Sequence, residues 1–168
     1  MSDEIITPFE GDEVGETGAG KFQMKAMTPG GPLIIDEPVE VGGLGSGPNP
    51  YDLMSAALGA CTAMTVRLYA ERKGWPLDSV VVRVLHSRAE LTAKDHFARE
   101  IVLQGPLSGE QRARLKEIAE KCPVHQTLER GSVVGTVLAE LAAADRGDPG
   151  PEDGLGAHYR DMCEACED

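Results

Sequence analysis

The sequence predicts one domain that mixes helices with antiparallel strands. Three observations point there. A long apolar helix runs from Pro50 to about Lys73, two alternating segments at 79–88 and 97–104 form a hairpin, and a capped helix follows at 108–122. The chain has 168 residues, enough for one domain with a real core.

The elements follow in order. Residues 1–20 are acidic and Gly-rich, which predicts partial order only. Lys21–Met27 and Leu33–Glu37 read as two strands around a turn at Pro29, Gly30 and Gly31. Val41–Pro48 is a glycine-rich loop, but it has neither the lysine nor the strand-to-helix setting of a phosphate-binding loop. Asn49 is a good N-cap for the long helix, Pro50 a good first residue, and Asp52 places a negative charge in the first turn. From Leu53 to Met64 that helix is apolar almost all round, which predicts a buried helix. Gly74 ends it. In the hairpin, Val80, Val82, Val84 and His86 share one face, as do Phe97, Arg99, Ile101 and Leu103. Ser108 and Gln111 form a capping-box pattern, and Pro123 breaks the second helix just after Cys122. A short helix from Pro123 to Leu128, a last strand at Ser132–Leu138, a linker at Ala142–Gly156 and a terminal helix at His158–Glu167 complete the reading.

Charge narrows the function. A formal net charge of -12 argues against nucleic acid and anionic membrane surfaces as partners. The longest apolar run, Met54–Met64, is too short to span a bilayer. Met1–Glu10 carries neither the basic nor the apolar segment of a signal peptide, so a cytoplasmic location is expected. In such a reducing compartment Cys61, Cys122, Cys163 and Cys166 are not a structural disulfide framework.

Cys61 and Cys122 each lie on a core-facing helical stripe. Both fit the role of a small buried hydrophobe. They also fit a redox couple, in which a cation or a helix N-terminus favours one thiolate and the second thiol closes a disulfide before over-oxidation. At the chain's end, Cys-Glu-Ala-Cys (163–166) has the spacing of half a zinc site, with His158 as a third ligand. Three ligands among acidic neighbours favour an ordinary helix, so no metal and no cofactor is expected.

The residues then match a known pattern. Gly45-Ser46-Gly47-Pro48-Asn49-Pro50-Tyr51-Asp52-Leu53-Met54, continuing through Ser55 to Cys61, resembles the first cysteine motif of the OsmC/Ohr family. Lys121-Cys122-Pro123-Val124-His125 resembles the second, in the form found in the OsmC-like branch. The resemblance covers about residues 20–140 and implies a two-layer α+β fold in an intertwined homodimer, with sites at the subunit interface. It sets the expected boundaries: an acidic segment at 1–20, an OsmC-like domain at 21–141 and a tail at 142–168. It also implies thiol-dependent reduction of organic hydroperoxides. Cys61 would attack the peroxide, Cys122 would resolve the sulfenic acid as a disulfide, and an external dithiol would recycle it.

The chain departs from the family pattern in two places. Tyr51, followed by Asp52, stands where the family has a catalytic glutamate, and only Lys21 or Lys25 stands where an early arginine is expected. Ten residues of helix rise about 15 Å, so a group at position 51 serves a site other than its own Cys61. Arg99, on an apolar strand face, and His125, three residues past Cys122, are the candidate replacement cations. The expected site is therefore Cys61, Cys122, His125, Arg99, Asp52 and Tyr51. The alternative is a non-peroxidase OsmC-like protein that binds a small ligand or senses redox state.

Overall fold

The structure is a computed structural model that describes residues 11–136, 138 and 154–166. They gather into two compact units, one built mainly on the segment up to Asn49, the other on Pro50–Val133 with the C-terminal residues from Ala157. The fold is α+β, with antiparallel strands throughout.

In the first unit, β1 (Glu13–Glu16), β2 (Met24–Thr28) and β3 (Gly31–Ile35) form an antiparallel sheet in that order. The β2–β3 hairpin was expected. The pairing of β1 was not, because all four of its residues are exposed and carry no apolar alternation. Its order comes from the backbone ladder to β2. Beyond β3, Asp36 turns its carboxylate into the glycine-rich loop. It accepts from the backbone amides of Glu37, Leu44 and Ser46 and from the Ser46 hydroxyl. Those bonds, led by the Ser46 hydroxyl, hold its pKa below the usual carboxylate value. The loop is thus folded around a buried anion rather than open for a phosphate.

The second unit is built on α1 (Pro50–Arg72), the hairpin β4 (Ser79–Ser87) and β5 (His96–Gln104), α2 (Gly109–Glu120) and α3 (Pro123–Arg130). A further helix, α4 (Gly154–Ala165), begins four residues earlier than the sequence suggested. Gly74 ends α1 in the left-handed region, with the Trp75 amide reaching back to the Ala70 carbonyl and the Gly74 amide to that of Glu71. Ser108 and Gln111 close the expected capping box on α2. In the hairpin, Val80, Val82, Val84 and His86 stand opposite Leu103, Ile101, Arg99 and Phe97, so both expected faces coincide.

The main core joins Val66, Tyr69, Ala70, Leu77, Leu115, Ile118 and Ala119. A smaller cluster holds Leu58, Cys61 and Cys122, with Val84, Phe97, Val124 and Leu128 packed against it. Two expectations are corrected. First, α1 is buried on one face only: Met54 and Met64 are 39% and 51% exposed. Its packing partners β4, α2 and α3 all contact it, and among the described residues they leave that stripe uncovered. Its length and mean hydropathy of 1.2 would also suit a membrane span. Its buried face, which carries Thr62 and Thr65, is that of a core helix. Second, residues 132–136 and 138 form no strand. A strand needs a neighbouring backbone, and Val133 is fully exposed with no paired strand among the described residues. Residues 1–10 and most of the expected 142–156 linker lie outside the described residues.

Gly105 joins β5 to α2 with φ +130, and a Cβ there would collide with the Pro76 carbonyl. Gly109, in the first turn of α2, has open space around it. Gly105→Ala should therefore cost more than about 1 kcal/mol in chemical denaturation, while Gly109→Ala should be neutral or stabilise by up to about 1 kcal/mol. Equal effects would contradict this reading of the turn.

Candidate active site

The site lies within the second unit. Cys61 sits in the middle of α1, and Cys122 sits between α2 and α3, as the N-cap of α3. The local sequence explains that position. Pro123 cannot continue α2, yet it fits the first position of α3, where a missing amide costs nothing. The first amides that α3 has to offer are then those of Val124 and His125. Val124 donates to Cys61 Sγ at 3.4 Å, and His125 donates to Cys122 Sγ at 3.3 Å. One helix N-terminus therefore serves both sulfurs, and the two cysteines pack in one buried cluster. Both cysteines are buried.

A polar chain starts at Cys122. Thr62 Oγ1 lies 3.5 Å from Cys122 Sγ and 2.7 Å from the Leu58 carbonyl. Arg99 Nη1 donates to that same hydroxyl at 2.7 Å and to the Ala119 carbonyl at 3.0 Å. Since Thr62 receives from Arg99, its single proton can go to Leu58 or to the sulfur. A hydroxyl rotor can follow charge as it appears on Cys122. Arg99 Nη2 reaches His125 Nδ1 at 3.0 Å. Arginine only donates, so Nδ1 is the acceptor and the neutral ring carries its proton on Nε2, which faces Glu129 at 3.4 Å.

These contacts split the two thiols. The neighbouring Cys122 and then burial push the Cys61 thiol up. Cys122 is brought down to about 5 by the neighbouring Cys61, then by Thr62, by the His125 amide and by the charge of Arg99. The surroundings thus favour ionisation of Cys122 over Cys61, whereas the resemblance gives the attacking role to Cys61.

Of the expected residues, Cys61, Cys122, Arg99 and His125 come together. Tyr51 does not join them. Its ring stacks on His86, with centroids 4.1 Å apart, and its hydroxyl accepts from Arg88 at 3.2 Å. His86 pairs with Asp95 at 2.7 Å and touches the Phe97 ring, which borders the cysteine cluster. Asp52 lies exposed in the first turn of α1. Lys21, in the first unit, stands over the Phe22 ring. Cys166 packs on α1, its thiol directed at the Thr65 carbonyl, and burial pushes its pKa up. Two residues of the chain were missed in the sequence: Thr62 and Glu129. Thr62 carried a signal, a hydroxyl beside Cys61 on an otherwise apolar helix. Glu129 carried another, four residues beyond His125.

The family model described as OsmC-like protein matches residues 43–137, more than half of the chain, and the chain belongs to that family. Solved structures share its fold. A protein from Psychrobacter arcticus 273-4 is 19% identical with a TM-score of 0.61, over 69% of this chain and 85% of that one. An OsmC-like protein from Mycoplasma pneumoniae is 18% identical with a TM-score of 0.60, over 74% and 89%. An organic hydroperoxide resistance protein OsmC from Legionella pneumophila is 24% identical with a TM-score of 0.55, over 70% and 86%. At these identities the likeness establishes the fold alone. No curated protein matches the sequence.

Thr62→Val keeps the shape of the side chain and removes the hydroxyl. The midpoint of Cys122 alkylation, followed by peptide mass spectrometry across pH, should rise from about 5 by about one to two units. An unchanged midpoint would remove Thr62 from the site's electrostatics.

Proposed function

We propose that this protein is a thiol-dependent reductase of small organic hydroperoxides, with Cys61 and Cys122 as its redox pair. The observation that carries this reading is the placement of both sulfurs on the first amides of α3 within one buried cluster, with the Cys122 thiol lowered to about 5. A thiolate attacks the outer peroxide oxygen. The O–O bond breaks, the alcohol leaves with a proton, and the sulfur becomes a sulfenic acid. The neighbouring thiol displaces water from it, forming the Cys61–Cys122 disulfide. An external dithiol then returns both sulfurs to the reduced state, its own sulfurs closing as a disulfide.

In the family's order Cys61 attacks and Cys122 resolves. The donors gathered around Cys122 favour a second reading, in which Cys122 attacks and Cys61 resolves. Tyr51 and Asp52, distant along α1 from their own Cys61, are proposed to serve the site of a partner copy. The homodimer is supported by the uncovered apolar stripe of α1 and by Val81 and Leu85, exposed on the outer face of the hairpin.

One equivalent of cumene hydroperoxide, followed by stopped flow and intact mass, should convert the reduced protein to the Cys61–Cys122 disulfide. Thiols that stay reduced would sink the peroxidase reading. Cys122→Ser should still form a trappable sulfenic acid if Cys61 attacks, and Cys61→Ser should do so if Cys122 attacks. For the dimer, Met64→Glu should shift the protein from dimer to monomer in sedimentation velocity. A wild-type monomer would overturn that part.

A further inference from the structure

Beside the cysteine cluster, between β5 and α2, lies a half-open cavity of about 310 Å³ lined by Arg99, Ile101, Leu103, Arg112 and Lys116. That volume is at the small end of the range for ligand pockets, about 300–1,000 Å³. Its lining is unusual for this chain. The protein carries a net charge of -12, yet the cavity holds three cationic side chains and no acidic one. Among the described residues none of the three is paired with a carboxylate. Arg99 donates to Thr62, Ala119 and His125, and Arg112 donates to the carbonyls of Leu103 and Gly105. Nearby acids are engaged elsewhere: Glu100 pairs with Arg83 at 2.6 Å and Glu117 with Arg114 at 2.8 Å. Arg112 and Lys116 also stand four residues apart on α2, where like charges repel. An isolated helix would gain by placing an acid at one of these positions. Between the cations, the Ile101 and Leu103 side chains give the cavity an apolar floor.

We propose that this cavity binds a small carboxylate amphiphile, its head on Arg112 and Lys116 with Arg99 alongside, its short hydrocarbon tail on Ile101 and Leu103. The pairing follows from charge and surface. Three cations without a carboxylate partner among the described residues select an anion, and the apolar floor between them selects one with a tail. The site is separate from the sulfurs, with Arg99 between the two. An anion beside Arg99 offsets the positive charge that lowers the Cys122 pKa, so occupancy weakens the thiolate. Binding needs no peroxide chemistry, so it stands or falls apart from the proposed activity.

Isothermal titration calorimetry of the reduced full chain with octanoate, octan-1-ol and acetate tests the proposal. Octanoate should bind, with octan-1-ol and acetate each at least tenfold weaker. Lys116→Glu, at an exposed position, should weaken octanoate at least tenfold, and R112Q/K116Q should weaken it further. Saturating octanoate should also raise the pH midpoint of Cys122 alkylation. The proposal is overturned if octan-1-ol matches octanoate, which would make the cavity merely apolar. It is equally overturned if acetate matches octanoate, or if Lys116→Glu binds octanoate as the wild type does. Octanoate binding as expected, with thiols that stay reduced under peroxide, would reject the peroxidase and keep this site.

Discussion

A negative charge is hard to keep in a dry place, and the second unit is arranged around keeping one. Cys122 is wholly buried, and burial alone would hold its thiol neutral. Instead the chain ends α2 at that residue and starts α3 from it, so the free amides of a helix N-terminus point at the sulfurs. Pro123 makes this possible, because it stops one helix and opens the next. Beside it, Cys122 and burial push the Cys61 thiol up.

Arg99 extends that arrangement into the rest of the unit. A charged guanidinium on the inner face of a hairpin would be costly without partners. Here Thr62 from α1, the Ala119 carbonyl from α2 and His125 from α3 all receive its protons. One side chain thus ties three helices to the strand that carries it, and brings positive charge close to the sulfur. The same residue lines the cationic cavity, which couples the reactive pair to the surface.

Much of this was legible in the sequence, because much of it is local. The start of α1 at Pro50, its stop at Gly74, the capping box of α2 and the two hairpin faces each follow from residues a few positions apart. The two cysteine motifs marked Cys61 and Cys122, and His125 came with the second. The unreadable parts depend on neighbours distant in sequence. β1 has no pattern of its own and exists only by pairing with β2. The Val-rich segment from residue 132 has strand composition but no strand partner among the described residues. The exposed side of α1 cannot be told from its buried side by composition, since both are apolar. The link from Thr62 to Arg99 spans 37 residues, and it is one of the contacts that place the charge on Cys122 rather than Cys61.

The central claim is that Cys122 is a buried thiolate held by the α3 N-terminus and Thr62, with the charge of Arg99 close by. The most direct measurement is the Cβ carbon chemical shift of Cys122, followed by NMR across pH on the reduced protein. The account predicts a single ionisation with a midpoint near 5, while the Cys61 shift stays that of a neutral thiol. A Cys122 that remains protonated up to the ordinary thiol range, about 8.5, would contradict it.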